Sequence, residues 1–224
     1  MDEIRNMKHK ESKSYGEENR KYSRNRSQYK LALRLIDCLC LDGKTKILDL
    51  GCGMGEFDDI LKEINNDFKI ICIDGVDTFV SKIKQRGYEC YRIDLEDMVL
   101  PFKDNEFDLI ISLDVIEHLW NTENYLHEIG RVLKHSGHAI FTTINYNWWK
   151  YRFQHLIGNF DKYTYKSRHK KFYTVQSIKN ELEKYFNIKK IIGLHGYPKI
   201  ILNNKNIINL TSREIGVLCT KINS

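Results

Sequence analysis

The sequence contains no uninterrupted apolar stretch long enough to span a bilayer. Its first thirty residues are polar and charge-dense, and they lack the apolar segment of a secretion signal. Internal repeats and low-complexity tracts are also absent from the sequence. We therefore expect a cytoplasmic protein that does not associate with membranes, with a flexible basic arm over residues 1–26 and one domain over residues 27–224.

The cysteine spacing argues against a structural zinc site, because no two cysteines form a C-x-x-C pair and no second cluster completes one. The six cysteines are Cys38, Cys40, Cys52, Cys72, Cys90 and Cys219. Several of them lie within or beside apolar segments. This pattern predicts buried, reduced thiols, which suit a reducing cytosol.

Charge is distributed unevenly along the chain, whose net charge is +6. Residues 35–149 carry a net charge of −10, whereas residues 1–34, 150–171 and 172–224 carry +5, +6 and +5. The basic segments either serve solubility or form the mouth of a site that attracts an anionic substrate.

Apolar strands and amphipathic helices alternate from residue 46 onward. The predicted strands cover residues 46–50, 68–74, 90–94, 107–113 and 138–144. The predicted helices between them cover residues 56–64, 78–86 and 122–133. This order predicts an α/β fold with a parallel sheet and helices on both faces. A further helix is expected from Ser27 and another over 174–185, and the late strands 186–194 and 214–222 are expected to form an antiparallel pair.

Residues 145–172 interrupt this order with an aromatic and basic segment. It directly follows the fifth strand, at the edge where open α/β sheets bind ligands. We predict a lid or substrate-binding insertion that contains one short helix near residues 148–157.

The segment Asp49-Leu-Gly-Cys-Gly-Met-Gly55 lies after a predicted strand and before a predicted helix. Glycine at every second position allows a tight turn and a close approach to a ligand, and the helix N-terminus favours electronegative groups. Such turns also occur in dehydrogenases and as plain tight turns. The preceding Asp49, the lack of G-x-G-x-x-G spacing and the acidic Asp74 at the end of the next strand favour a nucleoside ligand.

The segment ILDLGCGMGEF resembles the first motif of the class I S-adenosylmethionine-dependent methyltransferases. The resemblance continues through ICIDGVDTFVSKIKQRG, IDLEDMVLPFKDNEFDLIISLDVIEHL and EIGRVLKHSGHAIFTTIN, and covers about residues 45–145. RHKKFYTVQSIKNELEKYF then resembles small-molecule O-methyltransferases of the type 11 and ubiquinone-biosynthesis group. The resemblance implies a Rossmann-like fold with a mostly parallel, seven-stranded sheet and a lid insertion after the fifth strand.

The resemblance also implies S-adenosylmethionine as the cofactor. Asp49 and the backbone of Gly51 and Gly53 would hold its methionine portion, and Asp74 would accept its ribose hydroxyls. Family members often have Gly-Val/Ile-Asp at the second strand, whereas this chain has Cys-Ile-Asp followed by Gly-Val-Asp. Asp77 is therefore a rival for the ribose, although it also suits the cap of the following helix.

Three more residues are assigned to the cofactor by the same resemblance. Asp94 and Leu95 would flank the adenine, with Asp94 accepting from its amino group. Leu113 would line the pocket beneath the sulfonium. A surface-turn carboxylate is the alternative interpretation of Asp94.

The string Asp114-Val-Ile-Glu-His118 follows the fourth strand, where it would face the transferred methyl group. Methyl transfer is an in-line displacement in which the acceptor must also lose a proton. An imidazole suits that task, so we predict His118 as the catalytic base and Glu117 as the residue that orients it. Alternatively, His118 packs beside the cofactor or caps a helix.

A metal-dependent variant of this site stays open, although we expect none. Small-RNA 2′-O-methyltransferases and some ubiquinone-biosynthesis methyltransferases resemble this stretch and bind a divalent metal through an acid-x-x-Glu-His string. Asp114, Glu117 and His118 would supply three ligands, and a later histidine such as His155 or His169 would complete the set.

The sequence thus predicts a methyltransferase acting on a hydroxyl of a small anionic molecule, such as a sugar, a nucleotide-linked sugar or a polysaccharide-pathway metabolite. An RNA methyltransferase that uses the basic flanks is one alternative. A non-catalytic S-adenosylmethionine-binding protein is another. The chain is expected to be a monomer or a homodimer.

Overall fold

A computed structural model describes residues 26–159, 169–195 and 201–222. The arm predicted over residues 1–26 therefore lies outside the described residues except for Arg26, and so does the part of the predicted insertion at 160–168. None of the helices in the described ranges is long and apolar enough to cross a membrane.

One mixed sheet runs through the described part of the chain. Its strands are Lys46–Leu50 (β1), Lys69–Asp74 (β2), Glu89–Arg92 (β3), Phe107–Leu113 (β4), Leu133–Ile144 (β5), Phe186–His195 (β6), Ile201–Leu202 (β7) and Ser212–Lys221 (β8). They lie in the order β3-β2-β1-β4-β5-β8-β6-β7. The neighbours among β1 to β5 pair in parallel, and β8 pairs antiparallel with both β5 and β6. The predicted mostly parallel, seven-stranded sheet is confirmed, and the two-residue β7 adds an eighth strand at one edge.

Helices cover both faces of this sheet. They are Ser27–Ile36 (α1), Glu56–Ile64 (α2), Asp77–Gln85 (α3), Thr122–Val132 (α4), Trp149–Leu156 (α5), Val175–Leu182 (α6) and Lys205–Thr211 (α7). The apolar residues of α1, α2 and α3 form one buried cluster with the sheet, and those of α4, α6 and α7 form the other. Amphipathic helices on a largely apolar parallel sheet explain this three-layer arrangement.

The structure differs from the predicted elements mainly near two segments. β5 begins at Leu133 and not at residue 138, and its pairing with β4 shifts register between Phe107 and Leu109. β7 and α7 were not predicted, because a strand of two residues and a helix of seven are too short to show a clear periodicity. The short helix expected near residues 148–157 is present as α5.

The parallel strands bring their carboxyl ends to one edge of the sheet. β1 leads into the glycine-rich turn, β2 ends at Asp74, and β4 ends at Leu113 directly before the Asp114–His118 string. The sheet therefore assembles along one edge three segments that are far apart in the sequence.

Candidate active site

The glycine-rich turn after β1 requires glycine because of its backbone conformation and because of the lack of room for a Cβ atom at Gly51. Gly51, Gly53 and Gly55 have φ values of 78°, 56° and 71°, which side chains rarely adopt. A Cβ atom at Gly51 would lie 2.5 Å from Cγ2 of Val115, whereas a Cβ atom at Gly53 would have no atom of the described chain within 4 Å. Gly51 is thus packed against the wall of the site, and Gly53 faces open space that a ligand can enter.

Asp74 fixes the position of this turn. Its buried carboxylate accepts hydrogen bonds from the backbone N–H of Gly53 (3.0 Å) and from that of Val76 (2.8 Å). Each carboxylate oxygen can still accept a ribose hydroxyl on its second lone pair. The rival Asp77 is the first residue of α3, does not cap it, is 68% exposed and pairs with Arg92. This geometry favours Asp74 for the ribose.

Asp49 lies beneath the turn and is 3% exposed. Burial, followed by the neighbouring charge of Asp58, raises the pKa of Asp49 well above its usual range. Arg26, at the start of the described chain, pairs with Glu56 at the beginning of α2 (3.1 Å).

The two residues assigned to adenine, Asp94 and Leu95, follow the end of β3. Asp94 has an exposed side chain that accepts a hydrogen bond from the backbone N–H of Glu96 (3.2 Å), and it caps a single 3₁₀ turn. Leu95 is buried, and its Cδ1 lies 3.8 Å from the position of a Cβ atom at Gly51. Leu113 is half-buried at the end of β4. These three residues therefore line the same sheet edge as the turn.

Asp114 has a left-handed backbone conformation, with φ 54°. Its carboxylate accepts a hydrogen bond from the Thr142 hydroxyl (2.9 Å), and its N–H donates to the Thr142 carbonyl oxygen (3.1 Å). Burial raises the pKa of Asp114 to about 6, against the lowering effect of the Thr142 hydrogen bond. A non-glycine residue in this conformation is held there by its surroundings, as is common at functional sites.

Glu117, His118 and His169 form the centre of the site. The potential ligand atoms of the three side chains lie within 4.8 Å of one another, and the His118 and His169 ring centroids are 4.9 Å apart. Glu117 is 1% exposed, and burial, followed by the charge of Asp114, raises its pKa well above the usual range. Nδ1 of His169 lies 3.0 Å from the Tyr146 hydroxyl oxygen. Burial and then His118 lower the pKa of His169 to about 4.

The structure brings the predicted catalytic pair together and adds His169 to it. From the sequence, His169 was considered only as one of two histidines that could complete a metal site. Among the described residues, the potential ligand group contains neither Asp114 nor His155. The backbone N–H groups of Lys170 and Lys171 donate to the Glu117 carbonyl oxygen, which anchors His169 at the site. His118 and His169 are more than fifty residues apart in the sequence, so no local sequence pattern could predict their contact.

Several basic residues of the predicted insertion already have partners. Lys170 pairs with Glu96, and Lys171 pairs with Glu181 at 3.2 Å. Arg213 on β8 also has partners, because Glu214 lies 3.9 Å away and Tyr151 forms a side-chain hydrogen bond with it, although half of its side chain is exposed (52%). Arg168 lies outside the described residues.

Comparison with known proteins is consistent with this geometry. Residues 48–141 match a family model described as a methyltransferase domain. A Mycobacterium tuberculosis protein named as a probable S-adenosylmethionine-dependent methyltransferase is 31% identical over 101 residues, which are 44% of this chain and 35% of the relative. A ubiquinone biosynthesis O-methyltransferase of Bradyrhizobium diazoefficiens is 25% identical over 137 residues, which are 58% and 47%. The chain thus spans less than half the length of these curated relatives.

A solved protein from Thermotoga maritima, named as an S-adenosylmethionine-dependent methyltransferase and possible histamine N-methyltransferase, has the same fold. Its TM-score is 0.67 at 20% identity, and the match covers 87% of this chain and 89% of that one. Residues 48–141 thus match a methyltransferase domain, and the sheet order and the glycine-rich turn are those of the fold of S-adenosylmethionine-dependent methyltransferases, which implies S-adenosylmethionine as the cofactor.

Proposed function

We propose that this chain transfers the methyl group of S-adenosylmethionine to a hydroxyl group of a small molecule. The observation that carries the proposal is the position of His118, which lies beside Glu117 and His169 at the sheet edge that also carries the glycine-rich turn. A hydroxyl acceptor is also supported by a relative named as an O-methyltransferase.

The reaction needs alignment and removal of one proton. The acceptor oxygen attacks the methyl carbon while the carbon–sulfur bond breaks, so the sulfonium becomes the uncharged thioether of S-adenosylhomocysteine. The proton of the hydroxyl passes to a base, for which we propose His118. His169 is uncharged at pH 7 because its pKa is depressed to about 4, so it does not repel the imidazolium that forms on His118. We propose Glu117 as the residue that orients the ring, since its carboxylate lies within 4.8 Å of the potential ligand atom of His118.

Seven residues are proposed to hold the cofactor when it is bound. The methionine portion is assigned to Asp49, Gly51 and Gly53, and the ribose to Asp74. The adenine is assigned to Asp94 and Leu95, and the sulfonium to Leu113. The open space at Gly53 fits this assignment, since a Cβ atom there would enter the space that the ligand needs.

We further propose an anionic acceptor, such as a sugar or nucleotide-linked metabolite of a polysaccharide pathway. Arg213 supports this part, because its guanidinium is half-exposed and within electrostatic range of Asp114, although Glu214 and the α5 residue Tyr151 already engage it. The charge of +6 over residues 150–171 acts in the same direction, although Lys170 and Lys171 are already paired.

A metal-assisted variant of the same reaction is the second candidate. Glu117, His118 and His169 present one carboxylate and two imidazoles within 4.8 Å, a set that suits a divalent transition-metal ion. When bound, such an ion would supply Lewis-acid polarisation of the acceptor hydroxyl.

The test is formation of S-adenosylhomocysteine from S-adenosylmethionine with four groups of acceptors: phosphorylated sugars, neutral sugars, dihydroxybenzoates and a short single-stranded RNA. We expect turnover with hydroxylated small molecules, and a lower KM for anionic ones. Turnover with RNA alone, accompanied by RNA binding that weakens steeply with salt, would replace this proposal with the RNA alternative. Cofactor binding without turnover on any acceptor would favour a binding protein.

A further inference from the structure

We propose that Asp58 is a positioning residue for the cofactor: it shares a single proton with Asp49 beneath the glycine-rich turn and thereby keeps a negative charge available on Asp49 for the cofactor's amino group. The inference deepens the proposed function, since it rests on Asp49 holding the methionine portion.

A row of polar side chains crosses three neighbouring strands under the turn. Asp49 on β1 is the register partner of Cys72 on β2, and Cys72 is the partner of Cys90 on β3. Register partners in a parallel sheet point to the same face. Cys72 and Cys90 belong to the buried cluster that α2 and α3 cover, so Asp49 points toward the same two helices.

Asp58 enters this layer from the helix side. It lies in the first turn of α2, it is 0% exposed, and its Oδ2 lies 3.4 Å from the position of a Cβ atom at Gly55. Within the part of the chain that the structure describes, neither of its carboxylate oxygens receives a hydrogen bond of ordinary geometry. The Asp49 carboxyl and the Cys72 thiol are the polar side chains that it meets.

Two buried carboxyl groups in contact cannot both be ionised without a large electrostatic cost. One shared proton removes the repulsion and supplies the missing donor, because a carboxylic acid O–H can donate to the adjacent carboxylate. A cofactor ammonium beside Asp49 would draw the negative charge to Asp49 and the proton to Asp58. Asp58 therefore controls the charge that the ammonium meets, although it does not touch the cofactor.

The other titratable groups around Asp49 and Asp58 do not decide which of the two carboxyl groups carries the proton. The titratable and charged groups that face this pair from the surrounding elements are Tyr29, Cys52, Asp59, Cys72, Asp74, Arg86, Tyr88, Cys90 and Tyr125. Arg86 is the cation in this set, and it is already engaged by the Asp59 carboxylate and the carbonyl oxygen of Met54.

The test is isothermal titration of the full chain with S-adenosylhomocysteine between pH 5 and pH 8. Wild type should bind more weakly as the pH falls, because a second proton neutralises the pair. Asp58→Asn keeps an N–H donor for Asp49 but removes the second titrating group. It should bind within about threefold of wild type at pH 7.5 and keep that affinity to a pH roughly one unit lower. Asp58→Leu removes the donor and should weaken binding about tenfold or more at pH 7.5.

Glu63→Gln is the matched control, because Glu63 is an exposed carboxylate near the carboxyl end of the same helix and should leave the wild-type profile unchanged. The inference is overturned if Asp58→Leu binds like wild type, or if Asp58→Asn keeps the wild-type pH profile. Should Asp58→Leu fail to fold, the profile of Asp58→Asn decides alone. No binding by wild type at any pH would overturn the proposed function itself.

Discussion

The Oδ2 atom of Asp74 accepts a hydrogen bond from the backbone N–H of Gly53 at 3.0 Å. This bond joins the end of β2 to the one glycine of the turn that faces open space. Asp74→Ala should therefore weaken S-adenosylhomocysteine binding by about 2 kcal/mol or more, because it removes the ribose acceptor and leaves two backbone donors without their partner. Asp77→Ala should bind within about twofold of wild type, since that carboxylate makes an exposed ion pair. Equal losses in the two variants would refute the assignment of the ribose to Asp74.

Substitutions of two glycines in the turn should affect different properties, one mainly the stability of the fold and the other mainly cofactor affinity. Gly51→Ala should lower the free energy of unfolding by about 3 kcal/mol, because its Cβ would clash with Val115 and its φ is left-handed. Gly53→Ala should cost only about 1 kcal/mol of stability but reduce cofactor affinity about tenfold or more. Gly87→Ala is the control, since Gly87 has φ 85° and open surroundings away from the site. It should lose similar stability to Gly53→Ala and keep its affinity. Urea denaturation and calorimetric titration measure the two quantities.

His118→Ala should retain cofactor affinity and lose turnover by roughly 100-fold or more, the usual contribution of a positioned base. His127→Ala, which changes an exposed histidine on α4, should turn over like wild type. The comparison needs an acceptor found in the panel described above. If His118→Ala had normal turnover, His118 would be a packing residue.

Chelation distinguishes the two candidate mechanisms at this site. Because we assign proton removal to His118 itself, turnover should change by no more than about twofold after dialysis against EDTA. A loss that Mg²⁺, Mn²⁺ or Zn²⁺ restores would show instead that Glu117, His118 and His169 hold a metal ion.

The sequence predicted the parts of this protein that depend on local patterns. β1, α2 and β4 have the predicted bounds, because each is a short apolar or amphipathic segment between clear turn residues. The candidate base and its neighbour followed from one contiguous string. His169 could not be selected over His155 in this way, because its approach to His118 depends on how the chain returns after residues 160–168. The contact between Asp49 and Asp58 was also missed, since a carboxylate in the first turn of a helix is usually explained by the helix dipole.

Stability should depend on pH through Asp58. Burial raises the pKa of Asp58 to about 6 in the folded chain, against about 4 in the unfolded chain. The folded state therefore binds this proton more tightly, and the resulting stabilisation is fully present below pH 4 and is lost as the pH rises through 6. The free energy of unfolding of wild type minus that of Asp58→Asn should fall by up to about 3 kcal/mol between pH 4 and pH 7. A difference that is constant across this range would exclude a titrating Asp58.

Cofactor binding is the property on which every assignment above depends, and calorimetric titration of the purified chain with S-adenosylhomocysteine measures it directly. We expect one molecule to bind per chain, with a rise in melting temperature that Asp74→Ala reduces and Asp77→Ala does not. The absence of both binding heat and a thermal shift in wild type would contradict the assignment of this site to S-adenosylmethionine.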